Sequence, residues 1–137
     1  MQVRIKQLEG LTFLGKADSN HWVTIDGPRD FSGSDAASRP MELLLISLGG
    51  CTASDVASIL KKKRVDLQKF EVKLSGERAN EHPKTFTKIN LEYIFTGKNL
   101  KDEDLKRAIE LSQNKYCPIV SMLKKTVEIT YSYKIIV

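Results

Sequence analysis

The chain is poor in the residues that most often carry metal and redox chemistry: two cysteines and two histidines in 137 residues. Two cysteines without an export signal point to a reducing, cytoplasmic compartment, where thiols are reactive or inert rather than locked in a permanent disulfide. The histidines, His21 and His82, lie far apart in or beside strands, and no Cys/His spacing matches a zinc motif, so no metal is expected. The N-terminus, Met1-Gln2-Val3-Arg4-Ile5-Lys6, has no long apolar run, so neither a signal peptide nor a membrane anchor is expected. Gly49-Gly50 lacks the following Lys-Ser/Thr of a phosphate loop, and there is no Gly-x-Ser-x-Gly nucleophile elbow. Internal repeats and low-complexity segments are missing too.

What is present fits one soluble globular domain over residues 1–137. Apolar residues make up 41% and charged residues 28%. A chain of this size buries about 68% of its unfolded surface, enough for a core without staples. The net charge of +5 raises nucleic acid as a partner class. The cations are scattered, however, except for Lys61-Lys62-Lys63-Arg64, where a helix C-terminus favours positive charge in any case.

That run closes the stretch that organises the chain, Arg39 to Arg64, which reads as one long helix. Pro40 suits the first helical position and Glu42 the first turn. About 24 residues give a rod of roughly 36 Å. Met41–Leu48 is apolar almost all round, so this half is expected to be buried on every side, and it is too short to span a bilayer. On the helical wheel Cys51 shares its side with Leu44, Ser47, Leu48, Asp55, Ser58 and Lys62, whereas Ile46, Gly49, Ala53, Val56 and Leu60 lie opposite. Cys51 therefore sits on the less apolar stripe. Gly49 and Gly50 permit close approach beside the sulfur.

Around this helix the sequence predicts an antiparallel meander of three strands, in Val3–Lys6, Leu11–Leu14 and His21–Asp26, then a periodless loop over Arg29–Ser38. After the helix come strands at Phe70–Gly76 and Phe86–Phe95. A second helix follows, capped by Asn99, with Asp102, Glu103 and Asp104 in its first turn and Leu105, Ala108, Ile109 and Ser112 inward. Pro118 starts a short turn over Ile119–Leu123, and Val127–Ile135 is the last strand. The order is that of an α+β protein with mainly antiparallel pairing. The pairs Phe13 and Trp22, or Tyr131 and Tyr133, read as core and cross-strand contacts rather than base-stacking platforms.

Two thiols offer the chemistry. Cys117 precedes Pro118 at the N-cap of a helical turn, where unpaired N–H groups favour a thiolate. Cys51 has Asp55 one turn on, which disfavours its thiolate unless a cation intervenes. Local physics thus makes Cys117 the more acidic. The plain alternative is two unconnected buried thiols.

Pro40-Met41-Glu42-Leu43-Leu44 running to Gly49-Gly50-Cys51, with Cys117-Pro118 66 positions after the first cysteine, resembles the OsmC/Ohr family of thiol-dependent peroxidases, and within it the short OsmC-like subgroup. The resemblance runs from the first strand to the last. It implies an OsmC-like fold, with antiparallel sheets of both chains of an intertwined homodimer wrapped around two central helices. It also implies an activity: Cys51 attacks an organic hydroperoxide and becomes a sulfenic acid, and Cys117 condenses with it to a disulfide. A dithiol of the lipoyl type is the implied reductant, with no cofactor. In better-known members a glutamate ten residues before the first cysteine orients an activating arginine. Met41 holds that place here; Glu42 is nine before, about 180° around the helix from Cys51. Glu42 serves either the partner's site or the helix start. The activating cation is open among Lys16, Arg29 and Arg39, with Asp55 to contact or orient it. The competing readings are a non-catalytic OsmC-like protein that binds a small molecule or senses redox state, and a basic nucleic-acid-binding domain.

Overall fold

A computed structural model describes residues 1–137. Its contacts divide the chain into two compact units, Met1–Leu44 and Leu45–Val137.

In the first unit β1 (Val3–Glu9), β2 (Thr12–Ala17) and β3 (Trp22–Ile25) form the expected antiparallel meander in that order. Gly10 adopts φ +55°, the left-handed conformation that a tight reversal between β1 and β2 requires and that glycine reaches without strain. Val3, Ile5, Leu8, Trp22 and Val23 are exposed on this sheet. The loop after β3 has an organiser that its lack of period concealed. Buried Asp26 accepts four hydrogen bonds, from the Thr12 hydroxyl at 2.9 Å and the N–H groups of Gly27, Ser34 and Ala36 at 2.7, 3.2 and 3.2 Å. Arg29–Phe31 forms a single 3₁₀ turn within this loop.

Helix α1 covers Pro40–Lys62, with Pro40 first as its missing N–H allows. Glu42 reaches back to accept the Arg39 backbone N–H at 3.0 Å, one half of a capping box. Arg64, at φ 59°, turns the chain away after the helix. Expected burial on every side is not what one chain achieves. Of Met41–Leu48 only Leu48 is buried, and Ile46 is 60% exposed. The buried stripe lies further on, at Leu48, Thr52, Val56 and Leu60, a spacing of four residues that places them on one face. By length and composition the whole 23-residue helix is long and apolar enough to cross a bilayer, unlike the shorter run judged from sequence. In the single chain 28% of its most apolar window is buried.

In the second unit β4 (Lys69–Arg78), β5 (Phe86–Thr96) and β6 (Glu128–Ile136) make a sheet with β5 central. Along β5, Ile89, Leu91, Tyr93 and Phe95 alternate into the core with no exposed surface. Gly49 packs closely against this sheet, since a Cβ there would lie 2.7 Å from Leu74 Cδ1. Three of the four strand pairings are antiparallel, in line with the mainly antiparallel expectation, and β6 alone runs parallel to its neighbour, β5. The connection explains it: a crossover of two helices carries the chain back to the starting end of the sheet, as parallel neighbours require.

The crossover begins with α2 (Asp102–Leu111), capped at Lys101 and not at Asn99. Asn99 instead takes φ 57° in the preceding turn, a conformation asparagine tolerates better than most residues. Leu105, Ala108, Ile109 and Ser112 are fully buried, as the spacing predicts. A π-helical turn, Ser112–Tyr116, then widens the helix, and Cys117 N–H bonds to Ser112 C=O at 3.0 Å. Helix α3 (Pro118–Leu123) follows directly.

Candidate active site

α1 places Cys51 and Asp55 four residues apart on one face, and the π-helical turn delivers Cys117 to them. Both cysteines are free thiols; Cys51 is half-buried, Cys117 only 2% exposed. The two sulfurs and an Asp55 carboxylate oxygen all lie within 4.8 Å of one another. A disulfide bond is about 2.05 Å long, so the sulfurs need only a small approach to close one. The cluster contains no histidine and offers three ligand atoms, one short of a closed structural zinc site.

Cys117 caps α3 as expected, its sulfur accepting Val120 N–H at 3.4 Å. The inferred acidity does not follow. Burial is the largest influence and pushes the thiol up to about 11 from its ordinary 9.0; the nearby Cys51 adds to the rise, and the Val120 N–H offsets only part of it. Cys117 therefore holds its proton at neutral pH. The N–H groups at the cap do lower the value, but they do not outweigh the loss of water around the sulfur.

Of the activating candidates, Arg39 is held by Asp35 at 2.8 Å and by Glu42 at 3.9 Å. With its bond to the Arg39 N–H, Glu42 contacts the start of α1 in the single chain. Lys16 lies over the Trp22 ring, 4.7 Å from its centre, and Arg29 begins the 3₁₀ turn. Asp55, expected to orient a cation, forms no salt bridge; it accepts the Ser112 hydroxyl at 2.9 Å.

Four residues that sequence reasoning did not assign to the site lead on from that bond. Thr52 Oγ1 is 2.7 Å from Ser112 Oγ and 2.7 Å from Tyr93 Oη, and Gln113 Nε2 donates to Tyr93 Oη at 2.7 Å. Thr52, Ser112 and Tyr93 have no exposed surface, and Gln113 is 7% exposed. Burial raises the Tyr93 phenol above its ordinary value, against the hydrogen bonds of Thr52 and Gln113. The available signal was Thr52, a hydroxyl inside an apolar stripe beside a cysteine. Next to the site an open pocket of about 360 Å³ is lined by Asp55, Ser58, Ile59, Lys62, Lys63, Leu111 and Tyr116.

With two facing thiols on these elements, the comparisons with known proteins are decisive. The family described as OsmC-like protein matches residues 33–132. The chain belongs to the OsmC family. The Protein YhfA of Escherichia coli K12 is 49% identical over 136 residues, covering 99% of this chain and 98% of that protein. A solved hypothetical protein of Aquifex aeolicus is 33% identical, with a TM-score of 0.83 over 99% of this chain and 97% of that one. The same OsmC fold is present in the organic hydroperoxide resistance protein OsmC of Legionella pneumophila, at 15% identity and a TM-score of 0.72, over 98% of this chain and 97% of that one.

Proposed function

We propose that this OsmC protein reduces organic hydroperoxides with Cys51 and Cys117. The observation that carries the reading is the pair of free sulfurs within 4.8 Å of each other on two separate helical elements. Cys51 is the attacking residue, because Cys117 is buried and keeps its proton. Its sulfur takes the outer peroxide oxygen, the O–O bond breaks, and an alcohol leaves with Cys51 as the sulfenic acid. The Cys117 sulfur then displaces that oxygen as water and closes the disulfide. An external dithiol of the lipoyl type reopens it. The organic hydroperoxide resistance protein of Legionella shares the fold and supports this substrate class at the level of the fold.

The assembly we propose is a homodimer. Val3, Ile5, Leu8, Trp22 and Val23 on the first sheet and Ile46 on α1 are exposed apolar side chains that a partner chain would cover. Sedimentation over a dilution series should show no folded monomer; a stable monomer at micromolar concentration rejects it.

The test of the chemistry uses reduced protein and tert-butyl or cumene hydroperoxide. Thiol titration should fall from two to none per chain. Cys117→Ser should stop at a sulfenic acid on Cys51 that dimedone traps. Cys51→Ser should consume no peroxide. If Cys51→Ser reacts and Cys117→Ser does not, the roles are exchanged. If neither thiol outpaces free cysteine, the pocket beside Asp55 favours a binding or redox-sensing role for the same fold.

A further inference from the structure

The buried hydroxyls beside the thiols have only one consistent arrangement of protons. Ser112 gives its single proton to the Asp55 carboxylate. Its oxygen must then accept from Thr52. Thr52, having given its proton to Ser112, accepts from Tyr93. Tyr93 in turn accepts the amide of Gln113, a group that can only donate there. The string runs one way, from Gln113 through Tyr93, Thr52 and Ser112 to Asp55. It crosses from β5 to α1 and to the first two residues of the π-helical turn, and every hydroxyl in it is sealed from solvent. It pins Asp55 Oδ2 and leaves Oδ1 unused by any of these donors. No cation pairs with the carboxylate; the charged groups beside it are Lys62 and Lys63 at the pocket, and Lys63 is tied to Asp104 at 2.8 Å. An Asp55 oxygen lies within 4.8 Å of both sulfurs, a reach that one water or a small rotation closes.

We propose that Asp55, set in place by this one-way string, is the proton-transfer residue for both thiol steps. The proposal rests on the peroxidase reading, but the transfer of the Cys117 proton in its second step can be followed without peroxide. In the first step Asp55 takes the Cys51 thiol proton while the sulfur takes the outer peroxide oxygen, and it returns that proton to the departing alkoxide. The balance is Cys51 thiol plus hydroperoxide giving sulfenic acid plus alcohol. In the second step it takes the Cys117 proton as that sulfur attacks Cys51, and returns it to the departing hydroxide, giving disulfide plus water. The second step needs a base most, because a buried thiol gives up its proton reluctantly. Ser112, Thr52, Tyr93 and Gln113 are positioning residues that act through Asp55.

The test separates the two steps. One arm follows hydroperoxide-driven thiol loss. The other labels Cys51 with the aryl disulfide of Ellman's reagent and follows release of the aryl thiolate as Cys117 closes the disulfide, which involves no peroxide. Asp55→Asn should slow the second arm by about 100-fold or more, the usual worth of a positioned base. Asp55→Ala should slow it equally, and added formate should restore the rate with saturation, an effect that a merely structural role would not give. Ser112→Ala should slow it about tenfold and gain nothing from formate, so a fold-disrupting change at 55 leaves a second reading. Folding of each variant is checked by thermal melting. Closure in Asp55→Asn at the wild-type rate, or an Asp55→Ala rate indifferent to formate, overturns the proposal. Wild-type protein that ignores hydroperoxide rejects the peroxidase reading, while the aryl-thiolate arm still decides the role of Asp55.

Discussion

Two aspartates, one in each unit, hold their charges in opposite ways. Asp26 accepts four donors, three of them backbone N–H groups that span ten residues of loop. Burial alone would push its carboxyl up, but those donors more than offset it and hold the group below its ordinary 3.8. Such a carboxylate is fully engaged and has nothing left to exchange. Asp55 has one hydroxyl donor, at the end of a string, and two thiols within reach. A carboxylate saturated by the main chain is a fastener, whereas one held at a single oxygen remains available to chemistry.

Exchanging the two roles by mutation is the largest effect to look for. Asp55→Asn should cost about 100-fold in disulfide closure with little change in melting temperature. Asp26→Ala should lower the melting temperature by about 5 °C or more and leave the closure rate where it was. The acid limb sharpens the contrast. Because the folded-state value of Asp26 is depressed, its stabilisation is present above about pH 4 and is lost as the pH falls through the folded value. Asp26→Asn should therefore melt with a shallower pH dependence below pH 4 than wild type. Equal slopes would remove Asp26 from its role as fastener.

The string that separates Asp55 from Asp26 gives the next effect. Thr52→Val removes the middle hydroxyl and strands two buried groups, the Tyr93 proton and a Ser112 lone pair. Urea unfolding should show a loss of about 2 kcal/mol, and closure should slow as well. A Val variant as stable as wild type would mean that the string carries no strain when cut.

Much of this was legible in the sequence, and the misses have physical causes. The meander, the long helix, the inner face of α2 and the Cys117 cap follow from period and capping chemistry, which are local. The parallel sense of β6 was not legible, because strand direction is set by the crossover and not by the strand. The acidity of Cys117 was misjudged because the cap is local but burial is not: the same position that offers a donor also excludes water. Asp55 was visible as a neighbour of Cys51, yet its partner Ser112 lies 57 positions away, brought there by a π-helical turn that no spacing announces.

Cys117 provides the third effect. Its value near 11 means that in Cys51→Ser, where burial remains the largest influence, alkylation of Cys117 should stay slow through pH 9 and accelerate only above it. The folded state binds the thiol proton more tightly than the unfolded chain does. Stability from this group is therefore present below about pH 9 and is lost as the pH rises toward 11. Fast alkylation at pH 8 would contradict the burial.

The smallest effect compares the adjacent glycines. Gly49 is packed against Leu74, whereas nothing lies within 4 Å of a Cβ at Gly50. Gly50→Ala should stabilise a lone chain by about 0.5–1 kcal/mol through helix propensity. A net loss that deepens on dilution would place Gly50 against the partner subunit of the proposed dimer.

The most direct measurement is the intact mass of the reduced protein after one equivalent of organic hydroperoxide. The account predicts a loss of two hydrogens per chain and a single peptide link between Cys51 and Cys117 after proteolysis. Retention of both thiols, or cysteines joined only between chains, would contradict it.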